Sequence, residues 1–366
     1  MAFIQGLMLS EYFFNEAVQP ILAEAFPHLS YSAARLEWGS DVIGFDTPMS
    51  MDHGWGPKLT LFLGEDAYQQ QHKEIDDHLA YHLPFEVHGF PTNFGEPLDD
   101  GGLMALKTGY PIHHMITITT PVRFFADYLG ADIHRPLSPA IWLTIPQQRL
   151  RTVRSGRIYH DGLWTLADLR KRFHWYPHDL WLYLMANQWQ RISQEEAFLG
   201  RTGESGDELG SRLVAARLVQ DLMHLAFLME KQYAPYHKWF GAAFTQLEIS
   251  SQITPIFMQV LDSRDWKVRE SHLTEAYLIM AERHNALGVA PPIKPEVSRY
   301  HQRPFMVINA DRYVDAILAQ ITDSETKALP PRFGSIDQIS NSTDLLDEIG
   351  RCKKIWPLYN TTGNET

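Results

Sequence analysis

Leu9, Phe13, Ala17, Ile21 and Leu22 recur at helical spacing, and Pro27 ends the pattern, which predicts an opening amphipathic helix over residues 9–25. Residues 31–63 are rich in Gly, Pro, Ser and Asp and close on the apolar run Leu59-Thr-Leu-Phe-Leu63, flanked by Gly56, Pro57 and Gly64. This stretch reads as a turn-rich loop entering a strand. Ala67, Ile75 and Leu79 recur within the otherwise polar residues 65–81 and predict an exposed helix, and Ile116-Thr-Ile-Thr-Thr120 predicts a second strand.

Beyond Asp161 the texture changes to helical periodicity over residues 164–173, 179–198, 207–233, 238–247, 271–287 and 312–321. Asp179 after Pro177 is a candidate N-cap, Gly200 lies just past an apolar repeat, and Gly206-Asp207 opens the next helix. The pattern therefore predicts an α+β protein: an N-terminal mixed sheet with flanking helices, then a mainly α-helical bundle domain. Pro136-Leu-Ser-Pro-Ala140 and the polar residues 147–157 mark the softest join, and the expected domains are residues 1–135 and 136–366.

Composition narrows the classes. With 366 residues, 45% of them hydrophobic, the chain can bury a sizeable core. A formal net charge of −12 argues against broad attraction to nucleic acid or anionic membrane, while leaving room for a local phosphate pocket. Cys352 is the single cysteine, which excludes an intramolecular disulfide and a multi-Cys zinc site and fits a reducing compartment. The N-terminus lacks a basic region before Glu11, and no segment approaches eighteen uncharged apolar residues, so the expected location is cytoplasmic.

The chemistry concentrates in Gly39-Ser-Asp-Val-Ile-Gly-Phe-Asp-Thr-Pro-Met-Ser-Met-Asp52-His-Gly-Trp-Gly-Pro57. A Gly-Ser turn lets backbone N–H groups and a hydroxyl approach a triphosphate. A carboxylate at the edge of the following strand can hold Mg²⁺ against that phosphate. Gly39, Ser40, Gly44, Ser50 and Asp52, in this order and spacing, resemble the signature of the nucleotidyltransferase superfamily. The segments around Gly39, Asp52, Trp175-Tyr-Pro-His-Asp-Leu-Trp-Leu-Tyr183, Gly206-Asp-Glu-Leu-Gly-Ser211 and Tyr233-Ala-Pro-Tyr-His-Lys-Trp-Phe-Gly241, with Arg303-Pro-Phe305 and Gly334-Ser-Ile-Asp-Gln338, resemble the family called domain of unknown function 4037. That resemblance implies a nucleotidyltransferase-like sheet and a helical C-terminal region of the kanamycin-nucleotidyltransferase type, with no assigned substrate.

The expected reaction moves a nucleoside monophosphate from a nucleoside triphosphate to a small-molecule or protein acceptor. Asp52 is the expected catalytic residue, and Asp52 and Asp46 are the expected Mg²⁺ ligands. Gly39, Ser40, Ser50, Lys238 and Arg201 are the expected nucleotide contacts. Two departures stand against it: Gly54 occupies the place of a second carboxylate, and the strand at residues 116–120 offers Thr117 and Thr119 where a third is wanted, leaving Glu86, Asp41 or Asp46 as substitutes. The alternative is a catalytically degenerate nucleotide- or metabolite-binding protein.

Other residues have a structural and a chemical reading. His53 either ligates a metal or bonds the loop backbone, and His113 and His114, adjacent on a strand, point to opposite faces. The glycine-rich residues 200–212 lack the ending of a P-loop and read as a helix connection. Tyr233, Tyr236, Trp239 and Phe240 are either core or a stacking surface around Lys238. Asp221, in an apolar run, needs Arg217 or His224 as a partner, whereas Glu195 and Glu196 read as a solvated face.

Overall fold

The computed structural model describes residues 2–51, 54–95 and 102–359. The chain divides into two compact units, Met1–Leu137 with Arg149–His174, and Ser138–Gln148 with Trp175–Thr366. It is an α+β protein with a mixed sheet in the first unit and helices dominating the second.

In the first unit, α1 (Gly6–Phe13) continues through a π-helical turn, Phe14–Val18, into α2 (Gln19–Ala25). β1 (Tyr31–Arg35) and β2 (Lys58–Leu63) follow, then α3 (Glu65–His82) and a small hairpin of β3 (Glu86–Val87) and β4 (Phe90–Pro91). β5 (Met115–Thr119) leads into α4 (Pro121–Tyr128); α5 (Pro139–Thr144) falls in the second unit; α6 (Gln147–Ser155), β6 (Arg157–Asp161) and α7 (Leu166–Lys171) complete the region. The main sheet runs β5-β2-β1-β6, with β1 antiparallel to β2 and β6, and β2 parallel to β5.

Strand alternation on β2 divides two environments. Leu59, Leu61 and Leu63 belong to a core with Phe13, Phe14, Leu22, Ile75 and Leu79, so the amphipathic faces of the opening helices and α3 meet one side of the sheet. Lys58, Thr60 and Phe62 alternate with them. Phe62 meets Phe124 of α4 edge-on at 5.2 Å, Thr60 donates to Glu37, and Lys58 enters the candidate site described below.

In the second unit, α8 (His178–Glu195) is buried along most of its length and packs on both α10 (Glu208–Met229) and α14 (Asp311–Leu318). Trp189 of α8 is fully buried and stacks on Tyr313 at 4.5 Å. Between and after these run α9 (Phe198–Glu204), α11 (His237–Phe244), α12 (Ser250–Asp262) and α13 (Trp266–Ala286). Among the described residues no helix is long and apolar enough to cross a membrane.

Several expectations are corrected. β1, a strand of Tyr-Ser-Ala-Ala-Arg, lies inside the stretch read as loop, because Ala33 and Ala34 carry little β signal although both are fully buried between neighbouring strands. The polar residues 147–157 are mostly helix α6, and the two units divide within them, between Gln148 and Arg149. Gly200 sits inside α9, pressed against Phe305, instead of ending a helix. Asp221 is partnered by neither Arg217 nor His224: it accepts from Arg191 Nε at 2.8 Å and Gln188 Nε2 at 2.9 Å, both on α8. Glu196 is not solvated; its carboxylate is 6% exposed and accepts the backbone N–H groups of Ile308, Asn309 and Ala310, with burial raising its pKa to about 7.

Leu61 is fully buried at the centre of the first core. Leu61→Ala is expected to lower unfolding free energy by about 2–5 kcal/mol through lost burial and a residual cavity, measured by urea unfolding; a loss well under about 1 kcal/mol would show that this core is loosely packed.

Candidate functional site

The candidate site is built where β1 ends. Arg35, the last residue of the strand, donates from Nε to Asp41 Oδ2 at 3.3 Å and from Nη2 to Asp41 Oδ1 at 3.4 Å and to the Trp38 carbonyl at 2.5 Å. Both side chains of this ion pair are nearly inaccessible, at 3% and 4% exposure. The pair folds residues 35–41 back on themselves. Gly39 takes a φ of +144°, and a Cβ there would fall 1.9 Å from Asp41 Oδ1 and 2.8 Å from Arg35 Nη2, so only glycine fits. The turn closes with Phe45 N–H donating to the Ser40 carbonyl at 2.9 Å and Gly44 N–H to the Asp41 carbonyl at 3.2 Å.

Asp46 ends this turn buried against the start of α1. Its Oδ2 accepts from Gly6 N–H at 2.7 Å and from Trp55 Nε1 at 3.1 Å, which places a negative group at the positive end of the helix. Its Oδ1 is buried and has no hydrogen-bond partner among the described residues. Asp41 converges on the same point, since a Cβ on Gly6 would meet Asp41 Cβ at 2.6 Å. Ser50 lies in the next short turn, Pro48–Ser50, where its hydroxyl accepts Thr47 N–H at 3.1 Å in a capping box.

Two cations missed in the sequence join this turn. Lys58, at the start of β2, donates to the Gly54 carbonyl and places its ammonium 4.3 Å from the centroid of the Trp38 ring. It is 5% exposed, and burial, reinforced by the charge of Arg35 and opposed by Asp41 and Glu37, pushes its pKa down to about 7. Arg151 comes from α6 and lies 5.8 Å from the centroid of Phe45; burial and the neighbouring Arg154 lower its pKa to about 10. Lys58 sits in an apolar strand run and Arg151 in a polar stretch more than a hundred residues beyond the turn, so neither position carries a local signal for this site.

Gly39, Ser40 and Asp46 thus share one turn and Ser50 the next, while Asp52 and His53 lie outside the described residues. The remaining two expected contacts lie in the second unit. Arg201 is exposed on α9, which meets the first turns of α10 where Ser211 Oγ bonds the Leu199 carbonyl at 3.1 Å. Lys238 is exposed on α11, which packs through Phe240 on His224 and Phe227. Those two stations on α10 are separated by about 20 Å at the usual helical rise, so Arg201 and Lys238 do not form one anion site. Tyr233 and Phe240 are buried core residues, Tyr233 against Trp175 and Tyr176. Of the substitutes for a third carboxylate, Asp41 is held by Arg35 and Glu86 is exposed on the hairpin. On β5, Thr117 stands beside Thr60 in register.

Residues 142–240 match the model of a domain of unknown function, DUF4037, and this stretch includes the motifs at residues 175–183 and 206–211 and nearly all of that at residues 233–241. Among solved structures, a nucleotidyltransferase-like protein from Exiguobacterium sibiricum 255-15 is similar at 12% identity and a TM-score of 0.32, over 78% of this chain and 82% of that one. No curated protein matches the chain.

The burial of Lys58 has a signed consequence. Below about pH 7 the ammonium is charged in both the folded and the unfolded chain, and folding bears the full cost of burying it. Between about 7 and its ordinary value of 10.5 the unfolded chain keeps a proton that the folded chain has released, so this residue makes stability rise with pH. Lys58→Met is expected to remove that rise, read as the difference in urea-unfolding free energy between wild type and variant across about pH 7 to 9.5. Parallel pH profiles would show that Lys58 stays charged in the folded protein.

Proposed function

We propose that the first unit binds a nucleoside triphosphate at the turn of residues 39–46 and transfers its nucleoside monophosphate to a hydroxyl or amine of a small-molecule or protein acceptor. The observation that supports this reading is the gathering of Arg35, Lys58 and Arg151, from three separated segments, around one Gly-Ser turn in a chain of net charge −12. A glycine in the left-handed region with basic side chains around one turn suits a polyphosphate, whose oxygens take backbone N–H groups and positive charge together.

Asp52 is the proposed base and metal ligand, with Asp46 as a second ligand. Asp46 supports one Mg²⁺: its Oδ1 is a buried oxygen without a described partner, and this ion commonly takes one or two carboxylates and completes its shell with water and substrate phosphate. When bound, the ion supplies positive charge to the phosphate oxygens. In the transfer the acceptor oxygen or nitrogen forms a bond to the α-phosphorus, the bond from that phosphorus to the α,β-bridging oxygen breaks, and pyrophosphate leaves. The acceptor's proton passes to the Asp52 carboxylate. Gly39, Ser40 and Ser50 are the proposed phosphate contacts within the first unit. The proposed location is the cytoplasm.

A second reading, nucleotide binding without turnover, is favoured by a different observation. Thr117 and Thr60 stand side by side on β5 and β2, and among the described residues no three His, Cys, Asp or Glu side chains are grouped to hold a metal.

The two readings separate in one assay of pyrophosphate release and label transfer from α-labelled nucleoside triphosphates, with Mg²⁺ or Mn²⁺ and a panel of metabolites and proteins. Wild type is expected to transfer label, and Asp52→Asn to lose roughly a hundredfold or more of that rate while still binding nucleotide. Binding without transfer would replace the first reading by the second, and absence of nucleotide binding would remove both.

A further inference from the structure

Trp38 is 46% exposed, although it lies one residue from Gly39 in a turn whose other parts are tightly held. Its backbone is pinned on its C-terminal side. Its carbonyl accepts from Arg35 at 2.5 Å, and the next residue is held at a φ of +144° with no space for a Cβ. The ring itself is anchored from below by the Lys58 ammonium, 4.3 Å from its centroid, and Lys58 in turn is held by the Gly54 carbonyl. The indole is therefore presented in a fixed place while the residue stays nearly half exposed.

An exposed aromatic ring is ordinary; one held at three points beside a candidate phosphate turn is not explained by packing. A pre-positioned ring loses little conformational freedom when a flat ligand lies on it, which is where stacking platforms gain affinity. We propose that Trp38 is the base-stacking platform of the site, receiving the nucleobase of the nucleotide whose phosphates occupy residues 39–40; this rests on the nucleotide-binding reading above. The cation beneath the ring occupies one of its faces, and the base takes the part that faces solvent. Recognition through a ring face tolerates any base, and affinity follows stacking area, so purine nucleotides bind more tightly than pyrimidine nucleotides.

Isothermal titration with a non-hydrolysable ATP analogue, the corresponding CTP analogue and inorganic tripolyphosphate tests this on the full chain, with Trp38→Ala and Trp38→Phe beside wild type. Trp38→Ala is expected to weaken the ATP analogue about tenfold or more and to narrow the gap between the two nucleotides, while tripolyphosphate, which has no base, binds as in wild type. Trp38→Phe keeps a ring over Lys58 and is expected to recover most of the nucleotide affinity. Equal losses for nucleotide and tripolyphosphate in Trp38→Ala would overturn the proposal by making Trp38 a support for the turn. Unchanged nucleotide affinity would overturn it as well. If wild type binds tripolyphosphate and neither nucleotide, the platform is absent; if it binds none of the three, the nucleotide reading itself falls.

Discussion

The buried ion pair between Arg35 and Asp41 is the constraint from which the candidate site follows. Two charges at 3–4% exposure are costly to desolvate, and removing one partner of such a pair commonly costs about 3–5 kcal/mol because the other is left uncompensated. Satisfying both requires residues 36–40 to double back within a few residues of the end of β1. That tight return places the Trp38 carbonyl on Arg35, forces Gly39 into a backbone region open to glycine, and leaves Trp38 nearly half exposed. Asp41 also abuts Gly6, so the same pair helps set where α1 begins and thereby where Asp46 finds its helix N-terminus.

Around this pair the charges are arranged as a near balance. Lys58 and Arg35 face Asp41 and Glu37, so the cluster is close to neutral by itself although it sits in an acidic chain. Lys58 is the exception to the comfort of its neighbours: burial outweighs the two carboxylates, and the ammonium keeps a carbonyl and an indole face as its immediate partners. The alternation of β2 carries this polarity across one face of the sheet, from Lys58 through the Thr60–Glu37 bond to Phe62 in an aromatic contact with α4. The polar end of that gradient is the end where the Gly-Ser turn lies.

The carboxylates tell a narrower story than the cations. Asp41 is committed to Arg35, and Asp46 spends one oxygen on Gly6 and Trp55, keeping one buried oxygen without a described partner. Among the described residues of this turn, one buried carboxylate oxygen is therefore left over. In the proposed function, the difference between a transferase and a binding protein falls on Asp52.

Strong periodicity was legible in the sequence. β2, α3, β5 and the helices α8, α10, α13 and α14 lie within a few residues of where their apolar repeats predict them, since a repeat of 2.0 or 3.6 residues is itself the burial pattern of a strand or helix. The Gly39-Ser40 turn was legible too, through residue types that only a tight turn requires. What tertiary structure alone decided is the company these elements keep. β1 is a strand because neighbours on both sides bury its alanines; Asp221 finds Arg191 because α10 packs on α8, and Glu196 caps residues 308–310 because α14 does. Lys58 and Arg151 meet the turn for the same reason. A charge on an apolar strand or a polar helix has no local signature of its partner, because long-range contact is fixed by which faces are buried together and not by the residues beside it in the chain.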